Sequence, residues 1–321
     1  MIRWPVSPFA GARTDWRTWL RDNGVYVGII ALVIINTAIS PSFLAERNIR
    51  LQLVQVVPVA IVALGMALVI GTRGIDISAG STMAIAAATL PIFLVFGPVP
   101  AIVAALVAGA LVGIVNGTLV AVVGIQPIVA TLGMLVMGRG IALVIANGKL
   151  TEIFDPTLAD LGSVSFAGVP LVILVTAALA ILVSIVVSRT TFGRYVLATG
   201  GNPVASALSG VPARRTLVSV YVLSGTLAAI AGVLATARVG AADPSFLGNL
   251  IELSAITAVV VGGTPLTGGK VRIAGTMAGA ILLQLITATL IRNNLSDSTS
   301  RMVAAVIILG AVYIQRDRGQ A

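Results

Sequence analysis

The chain contains no cysteine and no histidine. Their absence excludes disulfides, thiolate chemistry, imidazole metal ligation and histidine proton relays, so no metal site is expected. Charge is also scarce. Asp, Glu, Lys and Arg make up 10% of the 321 residues, against about 25% in a soluble domain. Aromatic residues reach only 5%. A nucleophile–histidine pair cannot be assembled, and enzyme chemistry on this chain is not expected. One stretch, GTPLTGGK (Gly263–Lys270), approaches a phosphate-binding loop, but Thr264 stands where the first glycine is required and Val271 where a hydroxyl is required. The chain is therefore expected to hold no cofactor and to hydrolyse no nucleotide.

What remains is apolar. Hydrophobic residues reach 58%, and the mean hydropathy is +1.07, the mark of an all-α, polytopic membrane bundle. The net charge of +9 reports orientation and contact with the lipid bilayer, not nucleic acid. The 34 glycines allow membrane helices to approach closely. Residues 1–23 are too long and polar for the start of a secretory signal and are expected to form a cytoplasmic tail. Its Trp4, Trp16 and Trp19 suit the headgroup level.

About ten spans are expected: Val25–Ile39, Leu53–Ile70, Thr82–Phe96, Ala101–Val123, Ile128–Ala146, Val169–Val187, Leu217–Ala237, Leu250–Val261, Thr276–Ile291 and Met302–Ile314. Residues 24–315 then form one transmembrane domain, followed by the tail 316–321. Pro41–Arg50, Asn147–Gly168, Arg238–Asn249 and Arg292–Ser300 are read as outer loops. Both termini, two glycine-rich breaks and the segment 189–215 fall on the cytoplasmic side. The inner segments then hold 13 Lys and Arg and the outer side six, counting Arg301 at the mouth of the tenth span, with Arg139 left inside a span; positive charge favours the cytoplasmic side. The segment 189–215 carries Arg189, Arg194, Arg214 and Arg215 and no acid. Within it, Asn202 is a good amino-terminal cap for a short helix, Pro203–Leu208, which Gly210 and Pro212 stop. Arginines around such a helix suit an acidic partner.

The breaks contain Gly74 and Gly80 in GTRGIDISAGS (71–81), and Gly262, Gly263, Gly268 and Gly269 in GGTPLTGGKVRIAG (262–275). Both follow Val-rich runs and end in similar A-G-[ST]-M-A-like sequences, as a repeated half would. Asp76 is expected either to cap the third span or to pair with Arg73. Asp76, Ser78, Ser81, Asn116, Gln126 and Arg139 are candidates for the lining of a translocation route, since polar groups at membrane depth face a bundle interior or a wet cavity. Helix-to-helix hydrogen bonding is the alternative. Arg238 and Glu252 are a possible helix-end pair.

Three motifs in order, GIDISAGS (74–81), GGNPVASALSGV (200–211) and ELSAITAVVVGGTPLTGG (252–269), resemble the permease subunits of bacterial ATP-binding-cassette importers for monosaccharides, of the ribose, xylose and galactofuranose type. The resemblance covers about residues 50–315, and GIQPIVATLGMLVMGRG (124–140) looks nearest to the galactofuranose-type members. It implies a bacterial inner-membrane permease that pairs with a second copy or a paralogue. ATP and Mg²⁺ would sit on a separate cytoplasmic ATPase, and an extracytoplasmic sugar-binding protein would deliver the solute. It implies further that Gly201, Asn202, Ser206, Ser209 and Gly210 belong to the segment that docks on the ATPase, and that GIDISAGS lies near the route. Ser254 stands where the family commonly has Asp and Ala79 where Val is common, which leaves the sugar open. An ion-gradient-driven transporter of a small polar solute is the alternative function; few charges near the spans speak for it.

Overall fold

The computed structural model describes residues 16–293 and, beyond them, residues 299, 302, 305 and 306. The apolar runs fold as helices whose ends are set by proline, glycine or a side-chain cap. In order these are α1 (Trp16–Ile39), α2 (Glu46–Gly71), α3 (Ala79–Phe93), α4 (Pro98–Thr118), α5 (Pro127–Ile145), α6 (Pro156–Ser163), α7 (Leu171–Arg189), α8 (Thr191–Gly201), α9 (Pro203–Leu208), α10 (Ala213–Val239), α11 (Ile251–Val261) and α12 (Ile273–Arg292). Pro98, Pro127, Pro156 and Pro203 each sit in a first turn, where the missing N–H costs nothing. Two-residue strands form small ladders at the loops: β1 (Thr151–Glu152) runs antiparallel to β4 (Ala241–Ala242), and β2 (Ser165–Phe166) to β3 (Val169–Pro170).

Among the described residues, seven helices are long and apolar enough to cross a membrane: α2, α3, α4, α5, α7, α10 and α12, with α3 and α4 extended by the short turns that follow them. Asn23–Ile39 within α1, and α11, are shorter apolar helices. The tail before residue 16 and most of the tenth expected span lie outside the described residues. Burial divides the helices into an axis and a wall. The most apolar windows of α2 and α10 are 72% and 61% buried, those of α4, α5 and α7 only 28%, 28% and 22%. The exposed apolar faces of the wall are therefore the surface available to lipid or to another subunit. Close approach between α4 and α10 rests on small residues. A Cβ on Gly113 would lie 2.4 Å from the Tyr221 carbonyl oxygen, and one on Gly225 would lie 2.3 Å from that of Gly109.

Several expected loops are folded. Pro41–Arg50 is a 3-10 turn, Pro41–Leu44, followed by the first turn of α2, whose leading Glu46 suits a helix amino terminus. Asn147–Gly168 contains α6, capped by the Asp155 side chain accepting from the Leu158 N–H. The arginine-rich segment holds α8 and α9. Thr190 caps the first at 3.2 Å from the Gly193 N–H, and Asn202 caps the second at 3.0 Å from the Ala205 N–H. The second cap and the α9 range match the reading of the sequence; α8 was hidden by its three glycines and Arg194. The stretch expected as a loop from Arg238 begins instead at the end of α10, which Gly240 terminates in the left-handed region at φ 70°.

The two glycine-rich breaks open identically. At the end of α2 the Gly74 N–H donates to the Val69 carbonyl and the Arg73 N–H to that of Ile70. At the end of α11 the Thr264 N–H donates to Val259 and the Gly263 N–H to Val260. Each is a Schellman ending, with Arg73 at φ 67° and Gly263 at φ 88° in the left-handed position. The echo between the two sequences is thus also an echo in backbone geometry.

Candidate functional site

The first break holds a buried polar cluster. Ser78, at the cap of α3, donates to Asp76 Oδ1 through its backbone N–H at 3.0 Å and its hydroxyl at 2.6 Å. Ser224 of α10 donates to Oδ2 at 2.8 Å, and Asn116 Nδ2 of α4 reaches the Ser78 hydroxyl at 2.8 Å. Thr131 of α5 donates to the Ile75 carbonyl at 3.1 Å, and Ser81 to the Ser78 carbonyl at 2.8 Å. Asp76 is 2% exposed. A carboxylate so enclosed is tolerable only with several donors, and here they come from two helices. The cluster ties α3, α4, α5 and α10 around irregular backbone, the arrangement that non-helical chain at membrane depth requires.

The geometry decides between the two alternatives for Asp76. Asp76 does not pair with Arg73, because Ser78 and Ser224 occupy its oxygens. Asp76, Ser78, Ser81 and Asn116 are buried among the chain's own helices, where each makes a hydrogen bond to a neighbour. Gln126 differs: it is exposed, at the cap of α5, and makes no side-chain cap bond.

Arg139 has a separate task. It sits in the second half of α5, and its Nη1 donates at 2.8 Å to both the Pro244 and the Leu247 carbonyls. The 243–250 segment therefore folds inward against α5. α11, only 11 residues long and so about 16 Å, spans roughly half of a ~30 Å apolar layer. The guanidinium ties this segment to α5 through two of its carbonyls. Glu252, in the first turn of α11, is 5% exposed. It faces Gly80, where an added Cβ would lie 2.5 Å from Glu252 Oε2 and 2.2 Å from the Gly248 carbonyl. Arg238 is not paired with Glu252. It donates to the Val54 carbonyl at 3.4 Å, since the inward fold carries Glu252 away from the end of α10.

The docking candidates lie on the opposite kind of surface. Gly201, Asn202, Ser209 and Gly210 are exposed, and Gly210 turns the chain out of α9 at φ 77°. Ser206 is the exception: it is buried and faces the bundle. Sequence reasoning missed the apolar residues that α9 presents outward, Val204 at 71% and Leu208 at 86% exposure. Arg189, Arg194, Arg214 and Arg215 are all exposed around them.

The three segments that charge assigned to one side of the membrane touch one another. The Gly269 N–H donates to the Gly71 carbonyl at 3.0 Å. Arg73 Nη2 donates at 2.6 Å to the Gly201 carbonyl, and its Nε to that of Gly200. The glycines at 200, 268 and 269 permit this approach.

The family described as the permease component of the branched-chain amino acid transport system matches residues 48–312. The chain belongs to this permease family. Its relatives include the ribose import permease of Escherichia coli K12, 36% identical over 315 residues that cover 96% of this chain and 98% of the relative. The galactofuranose transporter permease of the same organism is 35% identical over 303 residues, covering 91% and 89%. The fructose import permease of Bifidobacterium longum is 36% identical over 305 residues, covering 90% and 86%. No solved structure matches. As a permease component the chain is a translocation subunit rather than an enzyme, and its long apolar helices are those of an integral membrane protein.

Proposed function

We propose that this permease imports a monosaccharide into a bacterial cytoplasm, powered by a separate ATP-binding-cassette ATPase. The observation that carries the reading is the near full-length likeness, 36% identity across 96% of the chain, to a ribose import permease. Relatives named for galactofuranose and fructose support the class and leave the individual sugar to an extracytoplasmic binding protein. Residues 24–315 serve as one transmembrane domain of the inner membrane, with both tails cytoplasmic. The route lies against a second permease, on the exposed wall of the bundle. On this reading Asp76, Ser78, Ser81 and Asn116 hold the hinge behind the route. Gln126, exposed at the start of α5, is left as a candidate for its wall. ATP and Mg²⁺ are bound by the partner, and α9 with its arginines docks on that partner.

The test is reconstitution. The permease, a cognate two-cassette ATPase and a sugar-loaded binding protein are placed in proteoliposomes, and uptake of labelled ribose and other monosaccharides is followed. Uptake is expected only with all three components and ATP on the ATPase side, and it should survive ionophores that collapse ion gradients. Uptake without the ATPase, driven by an imposed ion gradient, would contradict the reading.

A further inference from the structure

The first break, the second break and the docking segment converge at one point. Gly200, near the end of α8, has so little space that an added Cβ would lie 1.8 Å from the Gly71 carbonyl and 2.6 Å from the Gly269 nitrogen. Gly268 is packed against Arg73 and the Gly200 carbonyl, with the site of its Cβ 2.5 Å from Arg73 Cγ and 3.0 Å from the oxygen. Across this contact lies the Arg73 side chain. Its guanidinium donates to the carbonyls of Gly200 and Gly201, the last residues of α8, where orphan carbonyls and the negative end of the helix dipole favour a cation. Arg73 does so from a left-handed backbone position, φ 67°, which disfavours any side chain. The equivalent position of the second break is Gly263. A strained residue held at a junction is a reason to look for a task beyond packing.

We propose that this junction transmits the partner's stroke, with Arg73 as a positioning residue that locks the docking segment to the first break. The inference rests on the permease reading above. Force received at α9 passes through α8 to Gly200 and Gly201. There it meets, without slack, the chain entering α3 and the chain entering α12. α3 begins with the Asp76 cluster that grips α4, α5 and α10, so a shift of the node moves four helices together. Arg73 touches neither solute nor nucleotide. Its contribution is stiffness, because a two-point guanidinium contact resists both sliding and rotation.

The test is the number of ATP molecules hydrolysed per sugar transported, in the reconstituted complex. Arg73→Gly removes the lock and relieves the backbone strain at once, so it should fold and assemble as the wild type does. Hydrolysis should continue while uptake falls, raising the ATP-to-sugar ratio at least about threefold, a modest effect for the loss of two charge-assisted hydrogen bonds. Arg73→Lys, with a single point of contact, should lie between the two. Gly200→Ala, which forces the segments apart, should raise the ratio further where the complex assembles. A merely structural residue would lower hydrolysis and uptake together through the amount of intact complex, leaving the ratio unchanged. An unchanged ratio in Arg73→Gly, or failure of that variant to assemble with the ATPase, would overturn the proposal. Absence of ATP-driven uptake in the wild-type complex would instead remove the permease reading on which it rests.

Discussion

Leu208→Glu is expected to abolish capture of the partner ATPase and, with it, sugar-stimulated ATP hydrolysis, while insertion and helical content stay as in the wild type. The residue is 86% exposed at the end of α9, so its substitution disturbs nothing within the chain. Burying this leucine, together with Val204, in a partner's groove would remove apolar area from water and so favour docking. Apolar anchors at the centre of an interface contribute about 2 kcal/mol or more, which is about a thirtyfold loss in affinity. A buried carboxylate opposite an acidic groove would add repulsion. Co-purification of the ATPase in mild detergent, followed by hydrolysis in proteoliposomes, measures both steps. Leu208→Met should retain capture, since it preserves volume and apolar character. Equal capture by Leu208→Glu would take α9 out of the interface.

Asp76→Leu is expected to destabilise the chain by about 3 kcal/mol or more, as three donors lose their acceptor and each buried unsatisfied group costs about 1–3 kcal/mol. The donors are the Ser78 N–H, the Ser78 hydroxyl and the Ser224 hydroxyl. Asp76→Asn should cost far less, about 1 kcal/mol. Its Oδ1 retains the two Ser78 bonds, and its amide donates to a Ser224 hydroxyl that can turn and accept. Unfolding in detergent micelles, followed by circular dichroism, separates the two substitutions. A role confined to negative charge would make them equally harmful. The order Leu far worse than Asn is the signature of a hydrogen-bonded hinge.

The legible part of this molecule was the part written in composition and punctuation. Long apolar runs gave the helices, Asn202 gave the start of α9, and the two glycine clusters gave the breaks. The unreadable part was mutual orientation. Ser224 and Thr131 hold the first break, yet in the sequence they are single hydroxyls inside apolar runs, with no spacing to mark them. Arg139 looked like a lone intramembrane charge, since its acceptors, the carbonyls of Pro244 and Leu247, belong to backbone that no sequence pattern shows folding inward. For the same reason Arg238 and Glu252, near each other in sequence, were easily paired and are not. Gly200 read as one glycine among many; only the closeness of Gly71 and Gly269 distinguishes it.

The orientation of the docking segment can be tested directly because the native chain has no cysteine. Single variants Ser209→Cys, exposed just after α9, and Phe154→Cys, 84% exposed beside β1, provide one reporter for each side. In intact cells a membrane-impermeant maleimide should label Phe154→Cys and leave Ser209→Cys unlabelled, and inverted vesicles should reverse the pattern. Labelling of Ser209→Cys from outside intact cells would put the arginine-rich segment on the wrong side of the membrane and contradict the account.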